Sequence, residues 1–121
     1  MAEIQNSKHY DLEKRTLDFA KTVRAFIKKL PRSISNIEDG KQLTRSSGSV
    51  GANYIEANES LSKKDFLMRI MIARKEAKES RYWLNLVDTK ANGILEKERQ
   101  NLIREATELM MILSAIMRKS K

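Results

Sequence analysis

Residues 46–53 read SSGSVGAN, and this run limits the fold more than any other part of the chain. Three serines, two glycines and an asparagine suggest a linker or a phosphate-cradling loop. Yet Leu43, Ser47, Val50, Tyr54, Ala57 and Leu61 fall on one face at about 100° per residue. Gln42, Arg45, Ser49, Ala52 and Glu56 form a mostly polar line on the other side. A linker does not sort its residues in this way. Relative to Ala, the Gly and Ser positions cost a helix roughly 3 to 4 kcal/mol. Close approach of a neighbouring helix can offset that cost, so the segment is expected to be helical only in an assembled bundle. The loop readings are weaker. Gly48-Ser49-Val50-Gly51 fits the GxxG clamp of KH nucleic-acid domains, but no strand pair stands beside it. A GxxxxGK[ST] run is absent, which excludes a Walker loop.

Four helical segments follow from apolar periodicity. The first is expected over about 11–30, with Leu12, Thr16, Phe19, Val23, Phe26 and Leu30 on one stripe, Asp11 as its cap and Pro31 as its stop. The second is expected over about 36–58, opened by a capping box at Ser35-Asn36-Ile37-Glu38. The third is expected over about 63–91, opened at Ser62-x-x-Asp65 and closed by a left-handed cap at Asn92-Gly93. The fourth is expected over about 96–118, on a stripe of Leu102, Ala106, Leu109, Leu113 and Ile116. Residues 1–10 are expected to be a flexible N-terminus, and the 121 residues to make one domain. Short connections favour antiparallel neighbours, hence an all-α, up-down-up-down four-helix bundle. Two hairpins completing one core by dimerising are the alternative.

Composition narrows the function. Zero Cys excludes disulfides and thiolate chemistry. The start, MAEIQNSKHY, has no apolar run of the kind a signal peptide needs, and no segment approaches the roughly 20 apolar residues of a membrane span. A cytoplasmic protein is the expectation. The net charge of +8, from 24 Lys+Arg and 16 Asp+Glu, favours polyanionic partners over mere solubility.

The third helix carries two signals. Phe66, Ile70, Ala73, Ala77, Ser80, Leu84 and Val87 suffice for a core face, yet Leu67, Met68, Met71, Ile72, Tyr82, Trp83 and Leu86 lie elsewhere around the wheel. Such surplus apolar surface points to an oligomer interface rather than a thicker core. The second signal is charge: eight cations against four anions between Lys63 and Lys90. Arg74, Lys78 and Arg81 stand at i, i+4 and i+7, one basic stripe able to track phosphates. With Arg45, Lys63 and Lys64 they make the candidate nucleic-acid-binding set; the competing reading is a solvated face. Few aromatics are free for stacking, so binding would run through the backbone with little sequence specificity.

Catalysis is not expected. The single histidine, His9, falls in the expected flexible N-terminus. No Glu-x-x-His pair offers a bundle-type di-metal site, and no Ser-His-Asp set can be assembled. No cofactor and no metal are expected.

Gln42-Leu43-x-Arg45-Ser46, Ser49-Val50-x-x-Asn53-x-x-Glu56-Ala57 and Ser62-Lys63-Lys64-Asp65-Phe66 form a longer pattern, continued by Ile72-Ala73, Glu79, Leu84 and Gly93-Ile94-Leu95. In these residues the chain resembles the bacterial four helix bundle protein family. That family includes proteins encoded in intervening sequences of 23S rRNA genes and the accessory variability determinant of diversity-generating retroelements. The resemblance runs over about 11–118. It implies an antiparallel bundle assembled into a ring, typically a homopentamer, with a basic surface that can bind RNA or DNA. The chain departs from the pattern at Gly51, where relatives often have Pro, and at Asn58, where they often have Gly. Lys75-Glu76 stands where they favour a small Gly-Ser pair. The expected partners are therefore a second copy of the chain and a nucleic acid, with no membrane. A protein–protein scaffold using the apolar surface of the third helix is the runner-up. An anionic-membrane binder, lacking a free amphipathic helix, ranks last.

Overall fold

The computed structural model describes the backbone of residues 2–121 and the side chains of residues 12–121. The expected N-terminal segment 1–10, with His9, and the expected cap at Asp11 lie outside the described side chains. Among the described residues there are four helices and no strand: α1 Ala2–Lys29, α2 Ile34–Asn58, α3 Lys63–Leu86 and α4 Gly93–Ser120.

The four pack as a bundle. Among the described residues, α1 and α3 each touch α2 and α4 but not one another, so they occupy opposite corners. Each helix turns one stripe inward. Leu12, Phe19, Val23 and Phe26 come from α1; Leu43, Val50, Tyr54 and Ala57 from α2. Ile70, Ala73, Ala77 and Leu84 come from α3; Leu102, Ala106, Leu109 and Leu113 from α4. Each fully buried Leu, Phe, Ile or Val contributes about 1.5 to 3 kcal/mol over its exposed state.

Helix ends differ from expectation at the start of α2 and around the α3–α4 turn. α2 starts at Ile34, because Ser33 rather than Ser35 is the cap: its Oγ accepts from the Asn36 backbone N–H at 3.1 Å. α2 stops at Asn58, as expected, but Leu61, placed on its stripe from the sequence, lies beyond that end and stands fully exposed in the turn. α3 ends at Leu86 rather than near Ala91, and Asn92 caps the start of α4 by accepting from the Leu95 N–H at 3.0 Å. Gly93 is thereby the first residue of α4. The left-handed residues are Lys90 (φ 53°) and Ala91 (φ 59°), not Gly93. An Asn side chain satisfies an orphan helix N–H better than a Gly can, and it moves the boundary. The expected cap at Ser62 is present, its Oγ accepting from the Asp65 N–H at 3.1 Å.

SSGSVGAN lies inside α2. At Gly51 a Cβ would sit 2.8 Å from Thr16 Oγ1 and 3.0 Å from Thr16 Cβ. Thr16 is buried and its hydroxyl donates to the Glu13 carbonyl, so it cannot yield. At Gly48 the nearest atom is Arg24 Nη2 at 3.3 Å, the mobile end of a long side chain. On the α3 side, Ser46 and Ser80 are fully buried and their hydroxyls meet at 2.9 Å. The small residues thus serve two neighbours: Gly51 admits α1, and Ser46 admits α3.

Asn36 ties the two loops at one end of the bundle. Its Nδ2 donates to the Pro31 and Asp88 carbonyls, both at 2.8 Å, and its Oδ1 accepts from the Asp88 N–H at 2.9 Å. The side chain is buried, and all its amide hydrogen-bonding groups are engaged with backbone.

Candidate nucleic-acid interface

The six cations of the candidate set fall in three places. Arg45 reaches from α2 to α3. It donates to both Glu76 carboxylate oxygens at 3.3 Å and to Glu79. Glu76 is nearly buried, its side chain 12% exposed, so this pair holds α2 to α3. The carboxyl of Glu79 is held below its ordinary value, first by the Trp83 indole N–H at 3.0 Å and then by Arg45. Arg45, read from the sequence as part of an outward polar line, is thus committed to two carboxylates. Glu76 is its principal buried partner. Lys63 and Lys64 are exposed in the first turn of α3.

Arg74, Lys78 and Arg81 come together along the seam between α3 and α4. Arg74 Nη1 donates to Ser114 Oγ at 3.4 Å, and Arg81 Nη1 donates to Thr107 Oγ1 at 3.2 Å. The Thr107 hydroxyl donates its own proton to the Ile103 carbonyl, which leaves a lone pair for Arg81. Both guanidiniums therefore rest on neutral hydroxyls, half-buried, while Lys78 projects into solvent. A groove of about 680 Å³ runs beside them, lined by Arg81, Thr107, Met110, Met111, Ile112, Ser114, Ala115 and Arg118. No carboxylate lines it. None of the ion pairs among the described residues includes Arg74, Lys78, Arg81 or Arg118. Glu105 and Glu108, on the same helix, are engaged across the bundle by Arg15. Sequence reasoning found the α3 stripe but not its α4 wall. Arg118 was legible only as a cation at a helix C-terminus, and Met110 and Met111 only as apolar residues of the fourth helix.

The apolar set on α3 divides as well. Met68, Met71, Tyr82 and Leu86 are about half exposed, and Leu67 and Ile72 are partly covered. Trp83 is half-buried against the core and meets Tyr82 in a T-shaped contact, ring centres 5.0 Å apart and 78° between planes. Trp83 therefore spends much of its surface inside its own bundle. Among the described residues, no group of three or more His, Asp or Glu is placed to hold a metal ion, and no helix is long and apolar enough to cross a membrane.

No curated protein matches the chain. Among solved structures it is similar to a protein of unknown function from the S23 ribosomal protein family of Bacteroides thetaiotaomicron VPI-5482. The two are 31% identical with a TM-score of 0.76, over 88% of this chain and 97% of that one. The family model described as 23S rRNA-intervening sequence protein matches residues 8–115, and so spans the four helices. With the family model matching most of this chain and the fold shared with an S23 relative, the chain belongs to the 23S rRNA-intervening sequence protein family.

Proposed function

We propose that the chain is a non-enzymatic, cytoplasmic, homo-oligomeric four-helix bundle that binds RNA or DNA through basic surfaces with little sequence specificity. The observation that carries this reading is the carboxylate-free row of Arg74, Lys78 and Arg81 beside the α3–α4 groove, joined by Arg118. Arg74 and Arg81 donate to neutral hydroxyls and no carboxylate lines the groove, a setting that leaves their charge available to phosphates. An up-down-up-down course is supported by the pairings across helices. Arg45 meets Glu79 while Asn53 meets Arg69, and Arg74 meets Ser114 while Arg81 meets Thr107. Rising numbers on one helix meet falling numbers on the next.

Fluorescence anisotropy with a mixed RNA tests the binding. Affinity is expected to fall steeply between 50 and 200 mM salt, on the order of 0.7 to 0.9 logarithmic units per decade of salt for each phosphate neutralised. The double variant Arg74→Glu, Lys78→Glu should bind all sequences at least about tenfold more weakly, with the salt slope reduced by about 2. Lys41→Glu, which alters a lysine paired with Glu38 on α2, should change little. Wild-type protein that binds no RNA and no duplex at low salt would end this reading.

The half-exposed Met68, Met71, Tyr82 and Leu86 support self-association, and the family resemblance favours a five-membered ring. Light scattering should give a mass several times the 14.0 kDa of the chain. Met71→Glu with Leu86→Glu should reduce it to the single-chain value with the helix content intact. A monomeric wild-type protein would instead favour the second reading, a scaffold whose α3 face meets a different protein.

A further inference from the structure

The α3–α4 groove narrows the kind of nucleic acid. We infer that it takes a single strand rather than a duplex, with phosphates on Arg74, Lys78, Arg81 and Arg118 and unstacked bases against Met110 and Met111. The inference rests on the nucleic-acid reading above and deepens it. Two features of the groove point this way. The first is depth. Arg74 and Arg81 are half-buried and drawn across the seam onto Ser114 and Thr107. A strand that lies in the groove reaches Arg81, which lines it, and passes Arg74 where that residue meets Ser114, whereas the broad, stiff surface of a duplex meets mainly the exposed Lys78 and Arg118. The second is the lining. Met110, Met111, Ile112 and Ala115 give the groove an apolar wall, and Met111 is 65% exposed. Duplex bases keep their faces stacked on one another and present only their edges, so they gain little from such a wall. A splayed base presents its π-face, on which thioether sulfur packs favourably. Arg74, Lys78 and Arg81 also lie in one row along α3, which a single phosphate backbone can track, with Arg118 on the α4 side of the groove.

The test compares a 12-nucleotide oligouridylate with a 12-base-pair duplex by anisotropy, on the full-length protein at one low ionic strength. The single strand is expected to bind at least roughly tenfold tighter. Met111→Ala is expected to weaken the single strand roughly three- to tenfold, leaving duplex binding and the salt slope of both unchanged. Because Met111 is largely exposed, this variant should keep the wild-type melting curve. Equal or tighter duplex binding would overturn the inference and leave the proposed function standing. So would a Met111→Ala protein that binds the single strand as wild type. A Met111→Glu protein that loses its oligomeric mass would assign the groove to a neighbouring copy, and would also overturn it. Failure of both probes at low salt would remove the proposed function together with the inference.

Discussion

Gly51→Leu is expected to abolish cooperative unfolding, while Gly48→Leu is expected to leave it in place. The two glycines are three residues apart in one helix and look alike in the sequence. Their surroundings differ. Any side chain at Gly51 drives into Thr16, which is buried, β-branched and bonded to the Glu13 carbonyl. Relief would need α1 to move off α2, and overpacking of that kind costs about 1 to 3 kcal/mol for the first methyl alone. At Gly48 the obstacle is the guanidinium of Arg24, which can swing into solvent. Gly48→Ala should even stabilise the protein, by up to about 1 kcal/mol, through better helix propensity. Thermal melts by far-UV circular dichroism read all three variants. Equal losses at both positions would show that the run is a uniform small-residue seam, and equal indifference would show that α1 does not approach it at all.

Asn36→Ala should lower stability by about 3 kcal/mol. A single loss at a helix cap, such as Ser33→Ala, should cost about 1 kcal/mol. The amide of Asn36 makes three bonds to backbone groups of two separate loops, at Pro31 and Asp88. Each buried backbone group left without a partner costs about 1 to 3 kcal/mol. For a chain of this length that is a fall in melting temperature of roughly 10 °C. Asn36→Asp separates hydrogen bonding from volume. It keeps the acceptor for the Asp88 N–H but turns a carboxylate oxygen towards two carbonyls, so it should do no better than Ala near neutral pH. Wild-type stability in Asn36→Asp would mean that the amide donors contribute nothing.

Glu76 accepts Arg45 across the α2–α3 seam. The buried serine pair Ser46–Ser80 lies beside it. The third helix is thus held close to the second by small residues and held in register by an ion pair. That arrangement fixes which side of α3 turns to α4, and so where Arg74 and Arg81 come to lie.

The sequence by itself determined the four helices, their inward stripes and the helical state of SSGSVGAN. Those are local properties: periodicity, propensity and capping all act within a few residues. It also singled out the α3 cations and the surplus apolar residues, because both are visible on one helical wheel. Tertiary structure decided the rest. It made Gly51 obligatory and Gly48 dispensable, drew Arg45 onto Glu76 and Glu79, and gave Asn36 an acceptor and a donor 52 residues away. It also ended α3 at Leu86, where Asn92 began the next helix, and supplied the α4 wall of the basic groove. The physical reason is that close approach and hydrogen-bond pairing depend on which surfaces meet. A helical wheel fixes a face but not its neighbour.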